Sequence, residues 1–376
     1  MSQPGEPTSP EGAAGATPAP AAAAAQTAAA RRSPLLLRCA ARAGRCVGIG
    51  LLALLLSGMA AWATLAVYYA DTRPDAGPRR IAAALVALAC AALLVFVRPR
   101  RLGLACFVLL FGAVLAWFFL RQPSNDRDWE VEVSRAPQAT LDGDRLVVRN
   151  VRNFDYRSET DFTPHWDDRS YDLATLRSAD FMLVYWGSKA IAHAMVSFGF
   201  ADGRYLAISI ETRKEKGESY STVQGFFRQF ELIYVFADER DVVRLRTNYR
   251  IEDVYLYRST FSPAEARALL TSYARRADEL RLRPQFYNAL TSNCATNVLD
   301  LAQESPSLTR QGMNWEILLS GYAARRAYRN GRIDTSLPFD QLQARSRVND
   351  AAHAADRSPD FSRIIRAGLP MPPASQ

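Results

Sequence analysis

AHAMVSFGFADGRYLAISIET, residues 192–212, is the stretch from which the fold can be read. Ala194, Val196, Phe198 and Phe200 are apolar and alternate with His193, Met195, Ser197 and Gly199, which is the two-residue period of a strand. Leu206, Ile208 and Ile210 repeat the pattern, with Ala207, Ser209 and Glu211 on the other side. Between the two runs, Ala201-Asp202-Gly203 suits a three-residue hairpin loop whose last residue is left-handed, a position that favours glycine. Matching the apolar faces pairs Phe200 with Arg204, and counting back sets His193 across from Glu211. A loop one residue shorter or longer would set one strand's apolar face against the other's polar face.

Working outward, Trp129–Val133, Leu146–Val151, FMLVYW (181–186), FELIYVF (230–236) and DVYLY (253–257) read as further strands. Ser262-Pro263-Ala264-Glu265 supplies an N-cap, a proline at the first helical position and a capping-box glutamate for a helix to about Leu280. A second helix starts near Cys294 and runs through LDLAQ. The expected class is α+β, an antiparallel sheet with helices packed against it. Residues 336–376 are polar, rich in Ala and Arg, weakly helical, and receive no role.

The N-terminal third is different. Residues 1–33 are Ala, Pro, Thr, Gln and Gly with little to bury, and are expected to form a disordered cytoplasmic tail. Uncharged apolar runs then cover 46–70, 81–97 and 102–120 within a membrane region at 34–121, each long enough to cross a hydrocarbon core of about 30 Å. A cleaved signal peptide is the alternative for the first run, but the leader would be long and its apolar stretch too extended. With a cytoplasmic N-terminus, the inner flanks carry Arg31, Arg32, Arg38, Arg42, Arg45, Arg98, Arg100 and Arg101, against Arg73, Arg79, Arg80, Arg121 and Arg127 outside. The positive-inside rule favours that orientation and places the domain at 128–335 in the periplasm. The net charge of +8 is therefore read against anionic headgroups, and no nucleic-acid signature accompanies it.

Five cysteines are present, and four of them, Cys39, Cys46, Cys90 and Cys106, lie in or beside the apolar runs. Cys294 alone belongs to the soluble domain, with no partner there for a disulfide. Thr291-Ser292-Asn293 precedes it as a run of cap formers, which puts the thiol in the first turn of a helix, where unpaired N–H groups favour thiolate. A small buried apolar residue is the bland reading of the same position. Three histidines are candidate bases. His193 is the best placed, with Glu211 as the group that orients it; an ordinary His–Glu pair on an exposed sheet face is the alternative. His165 is a loop residue or substrate contact, and His353 lies in the tail. No metal motif is present and no cofactor is expected.

HAMVSFGFADGRYLAISIETRKEKGESYS, YVFADERDVVRLRTNYR and RPQFYNALTSNCATNV, in that order, resemble the Lnb N-terminal periplasmic domain family over most of residues 128–330. The resemblance implies a permuted papain-like domain related to NlpC/P60 amidases and, from the family's namesake, lipoprotein N-acyl transfer. It implies Cys294 as nucleophile and His193 as base; Glu211 as orienter comes chiefly from the register. Asn293 or the N–H groups beside it are placed to hold an oxyanion. In the namesake the domain precedes a membrane region, whereas here three helices precede it. The expected activity is a membrane-anchored, cysteine-dependent acyl transfer in the bacterial inner membrane. Membrane phospholipid and lipoproteins are its expected partners, and Arg213, Arg246 and Arg250 its candidate phosphate contacts. A cell-wall peptidase or amidase using the same site, and a non-enzymatic scaffold, are the alternatives.

Overall fold

The computed structural model describes residues 20–70, 76–289, 294–303, 316 and 319–370, without the side chains of 20–37, 294, 295, 299, 302 and 303. Helices α1 (Pro20–Ala70), α2 (Ala76–Val95) and α3 (Arg100–Leu120) come first. Arg38–Ala70, Ala76–Val95 and Arg100–Leu120 are long and apolar enough to cross a membrane, and most of their surface is uncovered by protein. The expected disordered tail lies outside the described residues up to position 19. From Pro20 onward the chain is continuous with α1, in keeping with the high helix propensity of an alanine-rich run.

Two compact units divide the chain: Met1–Thr64 with Val86–Phe111, and Leu65–Leu85 with Gly112–Gln376. The second contains the sheet. Its strands are β1 (Gln138–Asp142), β2 (Arg145–Arg152), β3 (Asp155–Tyr156), β4 (Phe162–Thr163), β5 (Trp166–Asp172), β6 (Leu176–Tyr185), β7 (Ala192–Phe200), β8 (Tyr205–Arg213), β9 (Glu231–Ala237) and β10 (Asp253–Arg258). The main sheet runs β1-β2-β9-β8-β7-β6-β10, with β5 also on β2, and β3 and β4 form a separate pair. The sheet is mixed rather than wholly antiparallel, since β2 meets β9 in parallel at Arg152 and Ala237. The contact is pinned by Asp238 N–H donating to Arg152 O at 2.9 Å and by the Arg152–Asp241 ion pair, none of which the residue pattern of either strand encodes.

The central hairpin follows the predicted register: Gly199 pairs with Tyr205, Phe198 with Leu206, and Met195 with Ser209. Phe200 N–H donates to Arg204 O, and Gly203 sits at φ +83°. Trp129–Val133 is not a strand. Val131–Val133 forms a 3-10 turn, and Trp129 makes one isolated bridge to Glu215, so an alternating WEVEV pattern does not suffice without a neighbour to pair with.

Helix α4 (Thr222–Phe226) precedes β9, and α5 (Glu239–Arg244) runs directly into a π-helical turn at Leu245–Tyr249. Helix α6 (Pro263–Leu282) carries the predicted capping box, Ser262 Oγ accepting from Glu265 N–H and Glu265 Oε2 from Ser262 N–H. Helix α7 (Cys294–Gln303) follows, and α6 and α7 cover the face of Val196, Phe198, Ile208 and Ile210. The opposite face is also buried. Met182, Met195, Ala207 and Ile233 pack under α5 and under a C-terminal layer of α10 (Asn349–Ala354) and α11 (Phe361–Ile364), from which Val348, Ala352, Ala355, Phe361 and Ile365 are buried, whereas Ala324 of α8 (Ala323–Arg329) and Leu342 of α9 (Phe339–Ser346) pack with Leu183, Ala192, Ala194 and Tyr257. The described part of the C-terminal segment, 336–370, thus contributes to the core.

Candidate active site

His193 opens the second position of β7 and lies half-buried at a cavity of about 360 Å³ beyond the ends of β7 and β8. Its Nε2 is 2.7 Å from Ser209 Oγ, and Ser209 Oγ donates to Glu211 Oε1 at 2.7 Å. Glu211 therefore orients His193 through Ser209 rather than by direct contact. The predicted register explains why. It sets Glu211 across from His193, and Ser209, two residues back on the same face, is the diagonal neighbour within reach.

The proton positions in this chain follow from its far end. Burial pushes the Glu211 carboxyl up, but Arg152, Arg246 and the Ser209 hydroxyl outweigh it and hold the group well below the usual carboxylate range. An ionised Glu211 only accepts, so Ser209 spends its single proton there and must accept from His193 Nε2–H. That fixes the tautomer and leaves the lone pair on Nδ1. The imidazole is neutral: burial, with Arg246 adding, pushes its pKa down to about 3 against the opposing pull of Glu211.

Arg246 is aimed at the site by the π-helical turn that follows α5, a backbone irregularity frequent at functional positions. It bridges Glu211 at 3.2 Å and Glu252 at 3.1 Å. Arg152 is committed elsewhere, to Asp241 at 2.8 Å and Glu132 O at 3.1 Å. Arg250 lines the same cavity and pairs with Glu159 at 3.1 Å.

Two expected contacts lie elsewhere. Arg213 is buried against the Trp129 ring and donates to Val133 O, Ser134 O and Asn125 Oδ1, so its charge is spent within the domain. His165 is largely exposed, pairs with Asp167 at 2.7 Å and faces a separate depression with Arg240 and Arg244. His353, in α10, bonds Thr247 O at 2.8 Å.

Asn293 and the Cys294 side chain lie outside the described residues. Cys294 is the first described residue of α7, and the run Thr291-Ser292-Asn293 expected to cap the helix lies outside the described residues. Helix α7 packs against β7 and β8, and Tyr234 donates to its Asn297 Oδ1 at 3.0 Å. Tyr287 and Ala289, in the segment leading to Cys294, line the cavity that holds His193. Ser320 and Gly321 close the same end. Ser320 Oγ accepts from Ala192 N–H and donates to Ala192 O, and Gly321 N–H donates to Ala190 O. A side chain at Gly321 would collide with the Lys189 backbone, so glycine is required for this approach. Sequence reasoning passed over both residues, and Ser209 as well; a short Ser-Gly pair far along the chain gives no sign of what it touches.

The mixed sheet thus sets an imidazole, a hydroxyl and an ionised carboxylate in series at the mouth of a cavity, with the helix that carries Cys294 packed on the same strands. Residues 162–321 match the model of the Lnb N-terminal periplasmic domain family, the family that the three motifs resemble. No curated protein and no solved structure matches the chain.

Proposed function

We propose that this is a membrane-anchored, cysteine-dependent acyltransferase of the bacterial inner membrane, with its N-terminus cytoplasmic and its catalytic domain periplasmic. The Cys294 thiol gives its proton to His193 Nδ1, and the sulfur attacks an ester carbonyl of a phospholipid. The acyl–oxygen bond breaks, the lyso-lipid alcohol leaves with that proton, and a thioester remains. An amine, such as a lipoprotein N-terminus, or water then takes the acyl chain and restores the thiol. Arg246 and Arg250 are the cavity's candidate phosphate contacts, and Asn293 with the N–H groups at the head of α7 would hold the oxyanion.

The observation that carries this reading is the His193–Ser209–Glu211 chain, which leaves Nδ1 as a neutral base beside the segment that leads to Cys294. The family match supports it. Tethering suits the chemistry, because donor and lipidated acceptor are met in two dimensions at high effective concentration.

The test is covalent. Purified full-length protein incubated with labelled phospholipid should gain one acyl mass on the peptide containing Cys294, and the Cys294→Ala protein none. Acylation elsewhere, or none in competent membranes, would sink the proposal. Turnover of a cell-wall peptide instead would identify a peptidase, and an unreactive Cys294 a scaffold.

Ser209→Ala should slow adduct formation on the order of tenfold to a hundredfold, by analogy with the loss seen when the hydrogen-bond partner that orients a metal-bound imidazole is removed. Nitrogen NMR of the His193 ring should show a single Nε2–H tautomer in the wild type and a mixture in Ser209→Ala, with Ser209→Thr restoring both rate and tautomer. An unchanged tautomer in Ser209→Ala would refute the proton assignment.

A further inference from the structure

The closing turns of α1 and α3 belong to the same compact unit as the sheet domain, and their contacts set the depth of one loop. Tyr69, next to the last residue of α1, stacks on Phe227 with ring centroids 5.7 Å apart. Arg228 donates to Phe118 O at 3.2 Å and lies over the rings of Phe118, Phe119 and Phe286. Arg121, just past α3, donates to Arg228 O at 3.1 Å and lies over Trp117 and Phe286. Aromatic rings with arginines reaching past them are what apolar spans carry where hydrocarbon gives way to water. Residues 227–228 therefore sit at the level where α1 and α3 leave the bilayer.

Helix α4 ends one residue before this loop, so Phe226 is within about 4 Å along the chain of that level. Val223, three residues earlier on the same helical face, follows within about 5 Å of rise. Both are large apolar residues in the open, 46 % and 39 % exposed for Val223 and Phe226. The cavity that contains His193 is rimmed by Phe226 and by Tyr220, Trp186 and Ile191, each 44–46 % exposed. Water is a poor neighbour for four large apolar side chains around one mouth with Val223 exposed beside them on α4, and such a patch marks a surface that something apolar covers.

We infer that α4 and the rim of the cavity rest in the headgroup layer of the bilayer that α1 and α3 span, so that the cavity opens directly onto the leaflet. The occupant is lipid because the patch is continuous, through Phe227 and Arg228, with the ends of the apolar spans themselves. This placement does not depend on acyl transfer: a cavity opening on the leaflet admits an amphiphile from the side, its chain against Phe226 and Val223 and its polar end toward Arg246 and Arg250, whatever chemistry follows.

The test uses the full chain in vesicles of phosphatidylethanolamine and phosphatidylglycerol, with the photo-crosslinking residue p-benzoylphenylalanine at Phe226, at Val223 or at Leu141. Leu141, on β1, is 44 % exposed and serves as the comparison. Phospholipid adducts should form at 223 and 226 at least about fivefold more than at 141, as burial in the headgroup–acyl boundary requires. Equal yields at all three positions, or crosslinks from 223 and 226 to a second copy of the protein, would overturn the inference. Repeating the measurement with Cys294→Ala separates it from the proposed function. Undiminished lipid crosslinking there, even if no acyl adduct ever forms on Cys294, supports the docking; crosslinking that vanishes with the thiol would count against it.

Discussion

His193→Ala is expected to slow acylation of Cys294 by roughly a thousandfold at neutral pH, within the range that a positioned general base supplies. The expectation rests on which form of the ring is present. With burial, Arg246 and Arg250 together outweighing Glu211, the imidazole stays unprotonated down to about pH 3, so wild-type acylation should show no loss between pH 7 and pH 5, where a solvated histidine would take up a proton. The stability consequence has a definite sign. In the unfolded chain the same ring titrates near its ordinary value of about 6.5, so between that pH and about 3 the unfolded state binds a proton that the folded state does not. Stability therefore declines as pH falls through this window. Thermal unfolding of the wild type should fall further between pH 7 and pH 4.5 than that of His193→Ala, which lacks the group. Acylation that drops with an apparent pKa near 6.5, or a variant with the same pH slope as the wild type, would show that the ring is not held neutral.

The part of this site legible in the sequence was the part that strand parity governs. One glycine at 203 and two apolar faces were enough to set the β7–β8 register, and the register to bring His193 and Glu211 to the same end of the sheet. Ser209 lay on the predicted polar face, yet a serine there looks like any other small polar residue until its distance to the imidazole is known. That same face misled in another respect. An alternating strand reads as half-exposed, but Met195 and Ala207 are covered, because the covering layer comes from more than a hundred residues later in the chain. Helices as short as Asn349–Ala354 and Phe361–Ile364 are too brief to show a 3.6-residue period, so Val348, Ala352 and Phe361 gave no warning that they are core. Residues 81–97 and 102–120, by contrast, were readable at once, since length and lack of charge are enough for an apolar span.

Arg366→Ala should be the most destabilising single change in the C-terminal layer, at about 3–5 kcal/mol, the cost of stripping one partner from a buried ion pair. The guanidinium donates from Nε to Asp180 Oδ2 at 2.8 Å, from Nη1 to Glu239 Oε2 at 2.7 Å and from Nη2 to Glu239 Oε1 at 2.6 Å, and it stacks 3.6 Å from the Tyr205 ring centre. Asp180 and Glu239 are wholly buried. Without Arg366, Asp180 keeps Arg258 at 2.9 Å, whereas among the described residues Glu239 is left with the Ser197 hydroxyl. The larger share of the loss should therefore arise at Glu239, and Glu239→Gln in the Arg366→Ala background should recover part of it by removing the uncompensated charge. Denaturant unfolding of detergent-solubilised protein measures both, and a double variant no more stable than Arg366→Ala would place the cost elsewhere. The effect should reach the cavity, because Glu239 begins α5, and α5 runs without a break into the turn that presents Arg246 to Glu211. Loosening the C-terminal layer thus frees the cation that helps keep Glu211 ionised. Below its unfolding transition, Arg366→Ala should still acylate Cys294 more slowly than the wild type, while a surface substitution such as Arg363→Ala, whose ion pair with Asp360 is exposed, should leave the rate unchanged.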